Sequence, residues 1–385
     1  METSELIEII ARDEDSKHQF KANVTNETSL GIEMIAFSNS LGGMIIIGAS
    51  DDGTISGLTR EDMGRLNLMV SNAGSQQIKP PINPITENIY LEDGLVMIVH
   101  IPQGISKPYM DKNGVIWVKS GANKQKATSR EEIQRMYQSA GLIHGDEIPV
   151  SNMTVADIDE KSFAEFYEKQ FEESFEEQNL PLKQLFKNLN LCNNDYSINV
   201  AGSLLFGKNN KYLLPAFIVK CVTYPKADID EDNYWDSQDI SGTLKRVFDD
   251  TIGFVLRNVK RVQNDKNINS LGELEIPKIV FEEIITNALI HRDYFISAPI
   301  RIFIFNNRIE IISPGHLPNN LTIENIKSGN SNIRNPILAS FATKILPYRG
   351  LGNGIRRALS AYKNIEFIED RDGNIFKVLI DFSHS

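Results

Sequence analysis

The sequence has little cysteine, with only Cys192 and Cys221 among its 385 residues. Two isolated cysteines exclude a disulfide framework and a cysteine-based zinc site. The sequence also lacks an apolar run long enough to cross a bilayer. Its acidic first residues lack the basic-then-apolar form of a secretory signal. Free thiols without an export signal lead us to expect a cytoplasmic protein without membrane contact.

An excess of positive charge is also missing, because the formal net charge is −11. This argues against a protein coated in nucleic acid, but it permits a local basic patch. At 385 residues the chain is too long for one ordinary domain. We predict an α/β (α+β) fold with a first domain over 1–140, a connector over 145–275 and a last module over 276–385.

A basic segment over 107–130 is the main charge feature of the first domain. Its acidic residue is Asp111, and its basic residues are Lys107, Lys112, Lys119, Lys124, Lys126 and Arg130. Tyr109 and Trp117 lie between them, so the segment could bind phosphates and stack on bases. A charged hairpin that keeps a sheet edge soluble is the alternative. The charge pattern alone favours neither.

Several motifs of the first domain occur in a recognisable order. They are AFSNSLGGMIIIG over 36–48, DDG over 51–53, GL over 57–58, SKPY over 106–109 and VKSG over 118–121. Together they resemble the Schlafen-type AlbA_2 domain, which implies an α/β domain that binds nucleic acid. No GxxxxGK[ST] loop occurs, so a Walker-type ATP site is unsupported.

In the nuclease-active branch of that family, the resemblance implies three carboxylates that bind a divalent metal ion and cleave RNA. Two acids five residues apart precede a Phe-Lys pair, and a third acid follows the glycine-rich strand. Glu14 and Lys21 match this pattern, whereas Gln19 and Ser50 stand where acids are expected. Asp51 and Asp52 follow Ser50 and keep a nuclease possible, although such acids commonly form turns. We therefore expect binding of nucleic acid rather than cleavage.

The connector shows packing patterns rather than chemistry. Residues 157–177 predict an acidic amphipathic helix with a phenylalanine stripe, 217–224 a strand, and 241–259 a long helix with an apolar face. We assign the connector to packing or self-association and expect a homo-oligomer.

A helix with more polar groups than a core helix needs is predicted over 281–294, with Pro277 near its start. Glu283 and Asn287 are four residues apart and share a face, with His291 one turn further on. A solvated face opposite the core is the simpler interpretation. Downstream, however, Gly350, Gly352 and Gly354 alternate directly before another predicted helix. This arrangement allows backbone N–H groups and a helix N-terminus to face an anion, near Arg349, Arg356 and Arg357.

The motif order HRDY (291–294), SPG (313–315), RNP (334–336) and GLGNGI (350–355) resembles the GHKL ATPase fold of histidine kinases, gyrase and MutL. The motif order resembles more closely the RecG-like C-terminal variant of this fold. This resemblance implies a site for ATP and Mg²⁺. Glu283 would polarise water or orient the metal, and Asn287 would bind Mg²⁺. Ser313 stands where many relatives have an aspartate that binds adenine. The implied nucleotide-binding residues are Asn287, His291, Arg292, Asp293, Gly315, Arg334, Asn335, Gly350, Gly352 and Gly354.

Three functions follow from these features. The first is a regulatory protein, such as a transcription regulator or defence component, in which nucleotide state tunes DNA or RNA binding. The second is an ATP-gated, metal-dependent RNA (tRNA) endonuclease of antiphage defence, with Glu14 and Asp51 as catalytic acids. The third is an assembly protein without working sites. In the first two, nucleic acid would contact Lys21, Lys107, Lys119, Lys124, Lys126 and Arg130. The sequence leaves open whether ATP is hydrolysed.

Overall fold

The computed structural model describes residues 1–229, 233–262, 272–318 and 321–382. The chain forms two compact units, residues 1–142 and 143–385. Both units mix helices and strands, which confirms the predicted α/β class. Within the described residues, no helix is both long enough and apolar enough to span a membrane.

The first unit has a four-stranded sheet in the order β1-β2-β5-β4, with β1 parallel to β2 and the other pairs antiparallel. Two short ribbons, β3–β6 and β7–β8, accompany it. Its helices are α1 (Thr3–Ile10), α2 (Glu27–Asn39), α3 (Arg60–Asn72) and α4 (Arg130–Ser139). Its strands are β1 (His18–Lys21), β2 (Gly43–Ile47), β3 (Ile78–Lys79), β4 (Ile85–Leu91), β5 (Gly94–Ile101), β6 (Met110–Asp111), β7 (Trp117–Ser120) and β8 (Asn123–Lys126).

Helix α2 positions the basic segment of the first unit. Its N-terminus is capped by Asn26, whose side chain accepts a hydrogen bond from the Ser29 N–H. At its other end the buried Asn39 amide donates to the carbonyls of Tyr109 and Trp117, at 2.8 Å each. The Asn39 side-chain oxygen also accepts from the Tyr109 N–H. One buried amide thus fixes β6 and β7 against the end of α2.

The second unit is organised on a six-stranded mixed sheet in the order β10-β9-β13-β14-β16-β15. Strands β11 and β12 form a separate ribbon. The helices are α5 (Glu160–Phe171), α6 (Leu182–Asn188), α7 (Val200–Phe206), α8 (Asn210–Leu213), α9 (Leu244–Asn258), α10 (Lys278–His291), α11 (Ile323–Lys327), α12 (Pro336–Ile345) and α13 (Gly354–Ala361). The strands are β9 (Val219–Thr223), β10 (Asp236–Ile240), β11 (Arg261–Val262), β12 (Glu273–Leu274), β13 (Ile300–Ile304), β14 (Arg308–Pro314), β15 (Ile365–Asp370) and β16 (Ile375–Asp381).

One hydrophobic core serves the whole second unit. It contains side chains from the predicted connector, such as Phe163 and Cys221, and from the predicted last module, such as Ile284 and Ile311. Strand β9 of the connector pairs in parallel with β13 of the last module. The two predicted regions therefore share one sheet and one core.

Two local predictions were wrong. The helix predicted over 157–177 spans only Glu160–Phe171, because Glu172 adopts a left-handed conformation with φ 58° and ends it. Tyr109 was a predicted stacking partner for bases, but it is 5% exposed and belongs to the core of the first unit. Burial of its apolar ring removes nonpolar surface from water, and this stabilises the core.

Candidate functional site

A cavity of about 820 Å³ opens in the second unit between α10, β14, β16 and the segment 348–357 that leads into α13. Its volume is in the range of small-molecule sites. Eleven residues singled out from the sequence line it: Glu283, Asn287, His291, Ser313, Gly315, Arg349, Gly350, Gly352, Gly354, Arg356 and Arg357. The structure therefore joins motifs that lie up to 74 residues apart in the chain.

Helix α10 presents the polar row predicted for it. Ile285, Leu289 and Ile290 are buried in the core, so the face with Glu283 and Asn287 is turned towards the cavity. The Asn287 side-chain N–H donates to the Glu283 carbonyl at 2.8 Å. This bond leaves the amide oxygen of Asn287 available as an acceptor.

The glycine loop lies directly over this row. Gly350 and Gly352 adopt φ angles of +66° and +69°, which side chains rarely adopt. Gly354 begins α13, and a Cβ there would collide with the Glu283 carboxylate and lie 3.3 Å from the Asn287 side-chain nitrogen. A methyl group at this position would displace the Glu283 carboxylate, so glycine lets the N-terminus of α13 lie close to both side chains.

An ion pair links the two helices at this point. Glu283 is 3% exposed, and its carboxylate accepts a hydrogen bond from the Arg357 guanidinium of α13. Burial raises the pKa of the Glu283 carboxyl above its usual range, and the charge of Arg357 opposes part of this rise. We predicted from the sequence that Arg357 lies near a bound anion. In the structure, its guanidinium instead neutralises Glu283.

The opposite wall of the cavity is mainly apolar, with Ile311, Phe376 and Val378. Ser313 is buried there, and its hydroxyl lies 3.4 Å from the Ala288 carbonyl. Two histidines also line the cavity. Burial and the charge of Arg334 lower the pKa of His291 to about 4, and burial lowers the pKa of His316. Both imidazoles are therefore neutral near pH 7.

Four residues predicted to bind nucleotide do not line the cavity: Arg292, Asp293, Arg334 and Asn335. Arg334 donates to the carbonyls of His291 (3.2 Å) and His316 (2.6 Å). Asn335 donates to the carbonyls of Ile290 and Arg292, at 2.8 and 2.9 Å. These two side chains satisfy the free carbonyls at the end of α10, and they brace the wall of the cavity from behind.

Arg292 and Asp293 belong to the same buried frame. The Arg292 guanidinium donates to the carbonyls of Ile296 and Ala298 and lies 4.6 Å from the centre of the Phe217 ring. The Asp293 carboxylate accepts from the Phe295 N–H at 2.9 Å. A Cβ on Gly315 would lie 2.5 Å from an Arg334 nitrogen and 2.6 Å from the Asp293 Cβ, so this glycine makes room for the frame.

Asp146 completes this frame and was not singled out from the sequence. It is fully buried, and its carboxylate accepts from the Leu338 N–H in the first turn of α12 at 2.9 Å. Within the described part of the chain, its other oxygen has no hydrogen-bond partner. Burial raises the pKa of Asp146 to about 6. No sequence pattern pairs an acid with a helix start 190 residues away.

In the first unit the structure divides the predicted nucleic-acid residues into two groups. Lys126 and Arg130 are exposed, with the Lys126 ammonium 5.5 Å from the centre of the Trp117 ring. Three others are half-buried and engaged with protein groups: Lys107 donates to the Ser40 carbonyl, Lys119 donates to Gln19, and Lys124 pairs with Glu33. Lys21 is half-buried at the end of β1.

The acids predicted for a nuclease do not converge. The Glu14 carboxylate accepts from the Gln19 side chain and from the Phe20 N–H at 2.7 Å. Asp51 and Asp52 lie in an exposed turn, where Asp52 accepts from the Thr54 N–H. Among the residues that the structure describes, no group of three or more His, Cys, Asp or Glu side chains is arranged to hold a metal ion.

Two family models match the chain. Residues 14–128 match the family described as "Schlafen, AlbA_2". Residues 297–375 match the family described as "Putative ATP-dependent DNA helicase recG C-terminal". The second match includes the glycine loop but not α10, so it is the structure that brings Glu283 and Asn287 to it. No curated protein matches the chain.

Several solved structures are similar to the chain, including the following two. One is the DIP2311 protein from Corynebacterium diphtheriae, at 18% identity and TM-score 0.49, covering 98% of this chain and 80% of that chain. The other is the N-terminal domain of "Putative ATP-dependent DNA Helicase RecG-related Protein" from Nitrosomonas europaea, at 20% identity and TM-score 0.24. That match covers 29% of this chain and 82% of the other.

The family models confirm the predicted order of domains. The first unit contains the region that matches the Schlafen AlbA_2 model, and the second contains the region that matches the recG C-terminal model, with the cavity. The chain therefore combines regions similar to these two families, which relates it to nucleic-acid-related, ATP-binding proteins.

Proposed function

We propose that the second unit binds ATP with Mg²⁺ in its cavity, and that nucleotide state tunes nucleic-acid binding by the first unit. One observation carries the nucleotide part. The N-terminus of α13 lies directly against Glu283 and Asn287 at Gly354, and the rest of the glycine loop lines the same cavity, although the sequence separates the loop from these two residues by more than 60 residues.

The cavity fits the nucleotide that the resemblance implies. The backbone N–H groups of 350–354 and the start of α13 suit phosphate oxygens. The exposed Arg349 and Arg356, which also line the cavity, supply positive charge. The free amide oxygen of Asn287 suits Mg²⁺, which prefers oxygen ligands. Bound Mg²⁺ would neutralise phosphate charge. The apolar wall with Ser313 suits a purine ring with one polar edge.

A sensing role agrees better with Glu283 than rapid hydrolysis does. A general base must be free to accept a proton from water. The Glu283 carboxylate instead pairs with Arg357, and it has little exposure to solvent. We therefore propose that nucleotide occupancy, rather than fast turnover, is the signal.

For nucleic acid, the exposed Lys126 and Arg130 are the best placed of the six predicted contacts. Their charge can be neutralised by phosphates without breaking an internal ion pair. We do not propose the endonuclease alternative, because nothing in the arrangement of Glu14, Gln19 and Asp51 supports it. Self-association, a cytoplasmic location and roles in transcription or antiviral defence stay predictions.

Calorimetric titration with ATP in the presence and absence of Mg²⁺ tests the nucleotide part. Asn287→Ala removes the proposed Mg²⁺ ligand, so we expect at least tenfold weaker binding with Mg²⁺ and a smaller effect without it. Glu282→Gln is the control, because Glu282 pairs with Lys278 and does not line the cavity. Equal affinity of Asn287→Ala and the unaltered chain would refute the assignment.

A further inference from the structure

A second polar cluster lies in the first unit and takes no part in the proposed nucleotide site. We call it the Lys119 cluster and define it by Glu14, Gln19, Glu33, Lys119 and Lys124. Gln19 is on β1, Glu33 on α2, and the two lysines on the β7–β8 hairpin. Gln19 and Glu33 are 6% and 8% exposed, and the other three residues of the cluster are half-buried.

The Lys119 ammonium is at the centre of this cluster. It donates to the Gln19 side-chain oxygen at 2.8 Å and to the Ala122 carbonyl, and it lies 4.7 Å from the centre of the Phe37 ring. An oxygen, a carbonyl and an aromatic face are the groups that stabilise a desolvated cation. Burial lowers the pKa of Lys119, which fits an ammonium turned away from solvent.

The surrounding carboxylates do not outnumber the cations. Glu14 accepts from the Gln19 amide, whose oxygen in turn accepts from Lys119. Glu33 pairs with Lys124 through one oxygen at 2.7 Å, and within the described residues its other oxygen has no hydrogen-bond partner. Two carboxylates therefore face two ammonium groups, and the charge of Lys21 also acts on Lys119. A divalent cation entering here would meet no net negative charge and the repulsion of these cations, whereas metal sites of this kind need an excess of anionic oxygen.

The divalent metal ion implied by the nuclease resemblance does not fit this cluster. We propose instead that the Lys119 ammonium is its resident cation, which orders Glu14 and Gln19 and makes the first unit independent of metal. The proposal concerns the first unit alone and does not depend on ATP binding. It also explains why Lys119, a predicted phosphate contact, is directed into the protein.

A double-mutant cycle tests the proposal by thermal unfolding. Trp117 is half-buried in the first unit and Trp235 is 73% exposed in the second, so Trp235→Phe in every variant leaves Trp117 fluorescence to report on the first unit. Gln19→Glu adds a carboxylate next to Lys119. We expect it to lower the unfolding midpoint at least twice as much in a Lys119→Met background as with Lys119 present.

Metal addition completes the test. After EDTA treatment, Mn²⁺ should raise the midpoint of Gln19→Glu/Lys119→Met and leave the unaltered chain unchanged. Lys126→Met on the same hairpin is the matched control and should show no coupling to Gln19→Glu. Equal effects of Gln19→Glu in both backgrounds would overturn the proposal.

A second measurement tests the proposal without a substitution at Lys119. If Mn²⁺ stabilises the unaltered first unit and Glu14→Gln removes that effect, a metal ion binds there and the proposal is wrong. If neither chain responds to Mn²⁺, the proposal is supported even where Lys119→Met fails to fold.

Discussion

The cavity of the second unit and the Lys119 cluster of the first each surround a carboxylate with polar groups. The cavity leaves space for a ligand, whereas side chains fill the cluster. In the cavity, glycines replace side chains over Glu283, and a volume of about 820 Å³ remains for a ligand. In the cluster, Gln19 and Lys119 fill the space beside Glu14. A binding site is therefore marked less by its polar residues than by what the chain leaves out beside them.

The two units also differ in how they compensate buried carboxylates, and Asp146 gives the largest expected effect. Glu33 has an ammonium partner, whereas Asp146 relies on backbone N–H groups. Because the pKa of Asp146 is about 6 when folded and near 3.9 when unfolded, its stabilising contribution is full below pH 4 and is lost as pH rises through 6. Between pH 4 and pH 8, the free energy of unfolding of Asp146→Asn should therefore rise by roughly 2.5 kcal/mol relative to that of the unaltered chain.

Urea unfolding at several pH values measures this difference, and pH-independent effects of the substitution cancel in it. Glu176→Gln, at an exposed position of the same unit, is the control and should show no such trend. If the difference in unfolding free energy between Asp146→Asn and the unaltered chain is the same at pH 4 and pH 8, Asp146 is not desolvated. The two units would then not differ in how they compensate a buried carboxylate.

A smaller effect is expected from the exposed cations of the basic segment. Lys126→Ala with Arg130→Ala removes two proposed phosphate contacts, so the slope of log affinity against log salt should fall by about 1.5. The affinity at low salt should fall about tenfold. Arg60→Ala, exposed on α3 of the same unit, is the control.

Lys119→Met sharpens this prediction. Because the Lys119 ammonium is directed inward, its loss should lower stability and leave the salt slope unchanged. A slope that falls with Lys119→Met, and not with the Lys126 and Arg130 changes, would show that the cluster opens to bind nucleic acid.

Much of the architecture could be predicted from the sequence because its signals are local. The periodicity of α10, the alternation in β13 and β14, and the glycines before α13 each depend on a few neighbouring residues. Their order also indicated that Glu283, Asn287 and the glycine loop would share one site. The structure places them together around the cavity.

The direction of individual side chains could not be predicted in the same way. Arg334 and Asn335 occur in the same motif order as the cavity residues, yet they bind the carbonyls at the end of α10 instead. Lys119 and Lys126 lie on the two strands of one hairpin but have different surroundings. Lys119 contacts Gln19 of β1 and Phe37 of α2, which are distant from it in sequence. Such choices depend on tertiary partners that composition and spacing do not encode.

The central claim is that the glycine loop over Glu283 and Asn287 forms the nucleotide site, and one comparison tests it most directly. Gly354→Ala places a methyl group against the Glu283 carboxylate, whereas Gly253→Ala on α9 of the same unit adds one where no atom lies within 4 Å. Calorimetric titration with Mg²⁺–ATP should show one site per chain, at least 100-fold weaker binding for Gly354→Ala and unchanged binding for Gly253→Ala. Unchanged binding for Gly354→Ala would contradict the account.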